Sequence, residues 1–210
     1  ITYSGGDDLF VVGSWINTIN FAFELKKRFT AFACGNQNLT ISGGSYLCKD
    51  SYPIHKAAKH AGEAESRAKK SVPEKDSISL FGKEFRWSRA EELVEFGKQL
   101  DRLVHSTNVD EKITSSYIHF LLGQTTVMLN QDKTLNIDKY FRNMFKIKYS
   151  LARNPREVGE TAIKQNENGQ LPNKKVELLS KLINNVGSKE LVEDFVVPAS
   201  YVILKNRKIK

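Results

Sequence analysis

The residues best suited to chemistry stand together near the start of the chain, as Gly5-Gly6-Asp7-Asp8. Ile1-Thr-Tyr-Ser4 before them and Leu9-Phe-Val-Val-Gly13 after them are β-rich, so the four residues read as the tip of a hairpin. Glycine at such a tip lets the backbone approach a bulky anion, and neighbouring carboxylates supply hard oxygen ligands for Mg²⁺ or Mn²⁺. A cation so held bridges nucleotide phosphates and lowers the pKa of a 3′-hydroxyl, which is the chemistry of phosphoryl and nucleotidyl transfer. Successive side chains of a strand point to opposite faces. Asp7 and Asp8 therefore share one metal only where the turn breaks that alternation, and a third carboxylate from another strand is expected. These residues alone leave a second reading open: a surface turn that uses Gly-Gly-Asp-Asp for its conformational preferences.

A second constellation lies far along the chain. From Lys139 to Arg156 there are six basic residues and no acid, and Lys139, Arg142, Lys146, Arg153 and Arg156 follow spacings of three, four, seven and three. One helix would carry them on a single face, with Tyr149 in the gap and a core stripe of Ile137, Tyr140, Met144, Ile147 and Leu151 opposite. A phosphate backbone would relieve the repulsion among these cations, so a polyanion is one expected partner and a plain solvated face is the other reading. His55, His60, His105 and His119 share no metal-ligating spacing with acids or cysteines and read as packing or surface residues. Trp15 and Trp87 read as core anchors, and Cys34 and Cys48 as reduced packing residues without a disulfide or zinc partner.

The elements that must position these groups follow from composition and periodicity. The 210 residues carry 32 Lys+Arg against 24 Asp+Glu, a formal charge of +8, with 40% hydrophobic and 10% aromatic residues. That composition excludes a disordered tail and a disulfide miniprotein, and the modest positive charge favours polyanionic partners. No run approaches the ~18 apolar residues of a membrane helix, and no signal peptide is recognisable, so a soluble, cytoplasmic protein with no membrane partner is expected. After the hairpin, Ser14 can cap a helix to about Phe29. A strand is expected over Leu39–Leu47, an alanine-rich helix from Pro53 to about Lys70, and two strands at Ile78–Phe81 and Glu84–Trp87. Ser88-Arg-Ala-Glu91 reads as a capping box, beyond which helical periodicity dominates. Helices are expected over 88–106, 112–130, 137–153, 174–186 and 189–205, with Gly123, Gly187 and Pro198 as weak points or ends and a polar loop over 154–173.

The order hairpin, helix, strand, helix resembles the palm shared by family B polymerases, nucleotide cyclases and GGDEF diguanylate cyclases. Ala61-Gly-Glu-Ala-Glu-Ser-Arg-Ala-Lys69 is similar to the cyclase helix whose terminal lysine reaches nucleotide phosphates, a role the resemblance carries to Lys69; a solvated lysine at a helix end is the other reading. Closer still, Tyr3-Ser-Gly-Gly-Asp-Asp-Leu-Phe-Val-Val-Gly-Ser-Trp15, Thr40-Ile-Ser-Gly-Gly44, Tyr52-Pro-Ile-His-Lys-Ala-Ala58, Ala61-Gly-Glu-Ala64 and Ile78-Ser-Leu-Phe-Gly82 resemble the large subunit of type III CRISPR effector complexes, the Cas-ten family, in its Csm branch. Asp8 stands where ordinary GGDEF cyclases carry glutamate, which suits the CRISPR subunit better.

This resemblance implies an α+β fold: residues 1–87 as the second half of a palm, or nucleotide-cyclase-like (ferredoxin-like), domain and residues 88–210 as an all-α C-terminal domain. It implies synthesis of cyclic oligoadenylate from ATP when the complex holds target RNA, with Asp7 and Asp8 as catalytic metal ligands. Ser4, Gly5, Gly6 and Lys69 would bind ATP, and the helical domain would contact guide RNA or an acidic neighbouring subunit in antiviral defence. It also implies that an HD nuclease domain, a first palm, the start of this palm and a zinc-binding segment lie upstream. Ile1, already strand-like, fits a chain whose first part is missing. Residues 1–87 by themselves would leave an unpaired strand edge and an open apolar face, so stability is expected only beside that missing N-terminal half. A diguanylate-type cyclase and a non-catalytic ribonucleoprotein scaffold with a degenerate palm are the rival readings.

Overall fold

A computed structural model describes residues 3–108, 112–132, 134–153 and 189–207. The chain forms two compact units, Ile1–Glu92 and Leu93–Lys210.

The first unit is mixed α/β. Strands β1 (Tyr3–Gly5) and β2 (Asp8–Phe10) form an antiparallel hairpin in the register Gly5↔Asp8. Helix α1 (Trp15–Phe32) follows, three residues longer than expected; Ser14 stands at its N-cap and accepts from the Thr18 amide through its carbonyl rather than its side chain. Strand β3 (Gly43–Gly44), helix α2 (Ile54–Ser71) and strand β4 (Ser77–Leu80) form a parallel βαβ unit, to which β5 (Lys83–Arg86) adds antiparallel. Phe81 and Gly82 turn this second hairpin, both with positive φ. Four residues of β4 are fully covered, with Ile78 and Leu80 packed beside Phe85, Trp87, Ala64 and Ala68.

The expected strand over Leu39–Leu47 contracts to Gly43–Gly44. Upstream of that pair, the hydroxyls of Thr40 and Ser42 donate to the carbonyls of Glu74 and Lys75, and the Trp87 indole donates to the Ile41 carbonyl at 2.9 Å. Side-chain bonds to the backbone take the place of a strand ladder there. The hairpin β1–β2 and the sheet β3–β4–β5 are separate sheets among the described residues. Tyr3, Val12, Phe32, Leu39 and Leu47 remain exposed in this unit.

The second unit is helical over its described residues. Helix α3 (Trp87–Val104) starts one residue before Ser88, so Ser88 stands inside the helix instead of capping it; strand β5 runs straight into the helix at the anchored Trp87. Helix α4 (Ser115–Val127) is capped by Thr114, whose hydroxyl accepts from the Tyr117 amide at 3.1 Å. Gly123 lies mid-helix and ends nothing. Helix α5 (Ile137–Arg153) has the expected bounds.

The single helix expected over 189–205 is two, α6 (Lys189–Asp194) and α7 (Val196–Lys205), with Pro198 in the first turn of α7, where a missing N–H costs no helical hydrogen bond. Leu100, Ile113, Ile118, Leu121, Met128, Ile147, Phe195 and Val202 form the core of this unit. Two further expectations change: Ile137 is 56% exposed rather than core, and Cys34 and Cys48 are both exposed free thiols rather than packing residues. The loop over 154–173 and the helix over 174–186 lie outside the described residues.

Candidate functional site

Gly6 and Asp7 make the two-residue turn between β1 and β2, and Gly6 takes φ +61°, which glycine adopts at no steric cost. Asp7 therefore belongs to the turn and Asp8 to the first paired position of β2, so the strict alternation of a strand does not apply between them. Both carboxylates are exposed, as are Ser4 and Gly6, while Gly5 is half-buried under the Tyr3 ring, whose hydroxyl would stand 2.5 Å from a Cβ at that position.

Lys69, the other residue singled out for the phosphates, pairs within α2. Lys69 Nζ lies 2.6 Å from Glu65 Oε1, one turn back on the helix. Its pKa is raised above the ordinary lysine value, first by that hydrogen bond and then by the charges of Glu65, Asp8 and Asp7, with partial burial acting the other way. The Lys69 ammonium thus sits in the field of the hairpin acids. Its position depends on how α2 seats on the sheet. A Cβ at Gly44 would fall 2.1 Å from the Glu65 amide nitrogen and 2.4 Å from the Ala61 carbonyl oxygen, so only glycine lets the Ala61–Glu65 turn lie against β3. Gly43 is similarly pressed by the Trp87 ring at 3.2 Å. The glycine pair serves a packed helix and a packed indole.

The donor set suits a hard divalent cation. Two adjacent exposed carboxylates supply oxygens, and Mg²⁺ is commonly held by one or two carboxylates together with substrate phosphates and water. No cluster of three or more His, Cys, Asp or Glu able to hold a metal occurs among the described residues, and the third carboxylate expected from the sequence is not among them.

The chain matches the family model described as Cas10/Cmr2, second palm domain, over residues 1–79. It is 32% identical over 189 residues to the CRISPR system single-strand-specific deoxyribonuclease Cas10/Csm1 (subtype III-A) of Enterococcus italicus, a match covering 87% of this chain and 22% of that protein. This chain belongs to the Cas10 large-subunit family. The proteins of the same name from Mycobacterium tuberculosis and Streptococcus thermophilus are 47% and 45% identical over 85 residues, covering 40% of this Cas10 chain and 10% and 11% of theirs. The chain thus spans between a tenth and about a fifth of the length of these relatives. No solved structure matches. The subtype III-A, Csm-type assignment agrees with the resemblance read from the sequence, and no helix of the described residues is long and apolar enough to cross a membrane.

In the helical unit Lys139, Arg142 and Lys146 are exposed on α5, and none pairs with an acid among the described residues. Arg153 closes the helix without a described side chain, and Arg156 lies outside the described residues. Two features escaped the sequence reading. One is Glu65, signalled only by its four-residue spacing to Lys69. The other is an exposed apolar row, Ile137, Phe141, Phe145 and Tyr149, signalled by its own four-residue repeat. His60 is half-buried, its ring 4.7 Å from that of Tyr46 and its Nδ1 3.2 Å from Glu63, which fits the packing role expected of it.

Proposed function

We propose that this Cas10 chain carries the acidic half of a nucleotidyl-transfer site that joins adenine nucleotides into cyclic oligoadenylate when the effector complex holds target RNA. The observation that supports this reading most directly is the exposed Asp7–Asp8 pair on a two-residue turn. The 3′-oxygen of one ATP ribose would attack the α-phosphorus of another. The new bond is 3′-O–P, the bond to the pyrophosphate oxygen breaks, and pyrophosphate leaves. Asp7 and Asp8 would hold Mg²⁺ or Mn²⁺, which when bound supplies positive charge to the phosphates and acidity to the attacking hydroxyl. The open backbone at Gly6 would admit the phosphates, and Gly5 would reach them where the Tyr3 side chain turns away. Ser4 would shape the turn, and Lys69 would offset triphosphate charge.

The exposed apolar side chains of the first unit suit coverage by other parts of the full-length subunit, including the remainder of this palm. The helical unit would contact guide RNA through the basic face of α5, within an assembly that acts in the cytoplasm, where ATP and transcripts are at hand. The relatives' name also specifies single-strand-specific deoxyribonuclease activity; none of the residues described here is assigned to it.

The decisive experiment replaces both acids, Asp7→Ala with Asp8→Ala, in the full-length subunit within its assembled complex. Oligoadenylate formation from ATP should fall below detection while guide and target RNA remain bound. Synthesis at the parental rate would overturn the assignment.

A further inference from the structure

Helix α5 carries two rows that face away from its core side. The buried side is set by Asn143 and Ile147, with Tyr140 and Met144 partly covered. At 100° per residue, Arg142 lies on the far side of the helix, with Lys146 and Lys139 beside it on one flank. The apolar row adjoins these cations and turns about 40° per rung, from the other flank at Ile137 (56% exposed) and Phe141 (56%) to the far side at Phe145 (71%) and Tyr149 (56%). Side chains three or four residues apart are surface neighbours on a helix, so Phe145 is flanked by Arg142 and by Lys148, and Tyr149 by Lys146. Asp138 is the only acid in the helix.

From these observations we infer that the exposed face of α5 is a stacking ladder for single-stranded nucleic acid, with unpaired bases lodged against Phe141, Phe145 and Tyr149 and phosphates tracking Arg142 and Lys146. The inference rests on the RNA-contact reading of this helix and goes beyond it. Phosphate contacts alone need only the basic row and would leave the exposed sides of Phe141 and Phe145 facing water. Spacing favours bases as the occupant. Successive rungs rise about 6 Å along the axis, from four residues at roughly 1.5 Å each. That is close to twice the ~3.4 Å separation of stacked bases, which is room for one base between neighbouring rings.

Charge points the same way. A ladder bordered by cations, none paired with an acid among the described residues, suits a polyanion whose bases have apolar faces, and aromatic rings within a basic groove are the usual means of holding a strand without sequence preference. A protein helix would be the other occupant, and it would use the row as plain apolar area, for which leucine serves as well as phenylalanine.

The test uses the full-length subunit with a fluorescein-labelled 15-nucleotide single-stranded RNA and the same RNA annealed to its complement, titrated at several salt concentrations. Phe141→Leu with Phe145→Leu should weaken binding of the single strand about ten-fold or more, with an unchanged salt slope and little effect on the duplex. Phe141→Trp with Phe145→Trp should retain or tighten it. Arg142→Glu with Lys146→Glu should weaken both RNAs and lower the salt slope by roughly one unit or more.

Leucine variants that bind like the parent would overturn the ladder. If the charge reversals still weaken binding, the RNA-contact reading survives without stacking; if they change neither affinity nor slope, that reading of α5 falls as well. Retained RNA binding by the leucine pair with a co-purifying protein lost on Phe145→Glu would assign the face to a protein partner and also overturn the inference.

Discussion

The two units keep their apolar residues in opposite ways. In the helical unit, Leu100, Ile118, Leu121, Met128, Phe195 and Val202 close a core from α3, α4 and α7 with the residues around them, and among the described residues the large apolar side chains left outside lie mainly on one helix, α5. In the α/β unit the covered residues cluster around β4. Tyr3 and Leu9 on the hairpin, Phe21 and Phe32 on α1 and Leu39 and Leu47 beside β3 stay in solvent. The unit holding the acidic turn is thus the one whose apolar surface is spread and open, and its order depends on close backbone approach at Gly44 more than on a deep core. A site built on such a unit is shaped by what else covers it, whereas the helical unit can present a decorated face from a closed core.

The largest effect that would sharpen this contrast is expected at Gly44. Gly44→Val drives a branched side chain into the backbone of the Ala61–Glu65 turn, and backbone cannot rotate aside as a flexible side chain can. Destabilisation of several kcal/mol, about 3 or more, is expected, enough to unseat α2 and with it Lys69. Both tryptophans of the chain, Trp15 and Trp87, belong to the α/β unit, so their emission in a urea titration of the full-length protein and of a version with other tryptophans replaced reads this unit. A parental transition would show that α2 does not rest on β3 as described.

The complementary change is Phe195→Ala, at a fully buried position between α6 and α7. A cavity of that size costs about 3–5 kcal/mol. It should move the helical circular-dichroism transition to lower urea while leaving the tryptophan transition in place. If the two signals shift together, the units unfold as one and the contrast is broken.

What the sequence makes legible differs between the units for the same physical reasons. Five of the candidate site positions, Ser4 to Asp8, are consecutive, so the hairpin tip can be read from turn chemistry alone, whereas a role for Lys69 toward phosphates comes only from resemblance. What seats α2 is not legible in this way: a Cβ at Gly44 would collide with the backbone of Glu65 and Ala61, a proximity between distant segments that no spacing in the sequence reveals. The strand over Leu39–Leu47 was overextended because Thr40 and Ser42 divert the backbone partners to their own hydroxyls. In the helical unit, periodicity located α5 to the residue and turned Tyr140, Met144 and Ile147 to the core, but it did not show the second, exposed apolar row. Ile137 fits the three-four stripe and is nevertheless exposed, as the first rung of the other row. Periodicity records that a helix has apolar faces, and the neighbours that cover them come from distant sequence.

The smallest of these effects concerns a polar contact that ties the helical unit together. Asp101 is 5% exposed and accepts from Lys205 Nζ at 2.6 Å and from Asn206 Nδ2 at 3.1 Å, fastening the end of α7 to α3. Asp101→Ala removes both bonds and the 3.3 Å contact with His105 Nδ1 but leaves a lysine already 43% exposed, which water can solvate, so the expected cost is only about 1–2 kcal/mol. Its pH dependence has a definite sign. The hydrogen bond that Lys205 donates to Asp101 leads the causes that hold the Lys205 pKa above the ordinary 10.5. A group whose folded value is raised contributes its stabilisation in full below the unfolded value and loses it as pH climbs through the folded one. The difference between parent and variant in urea midpoint should therefore be constant from neutral pH to about pH 10 and shrink above it. A difference that instead grows with alkalinity would mean that Lys205 is not the partner through which Asp101 holds the helix.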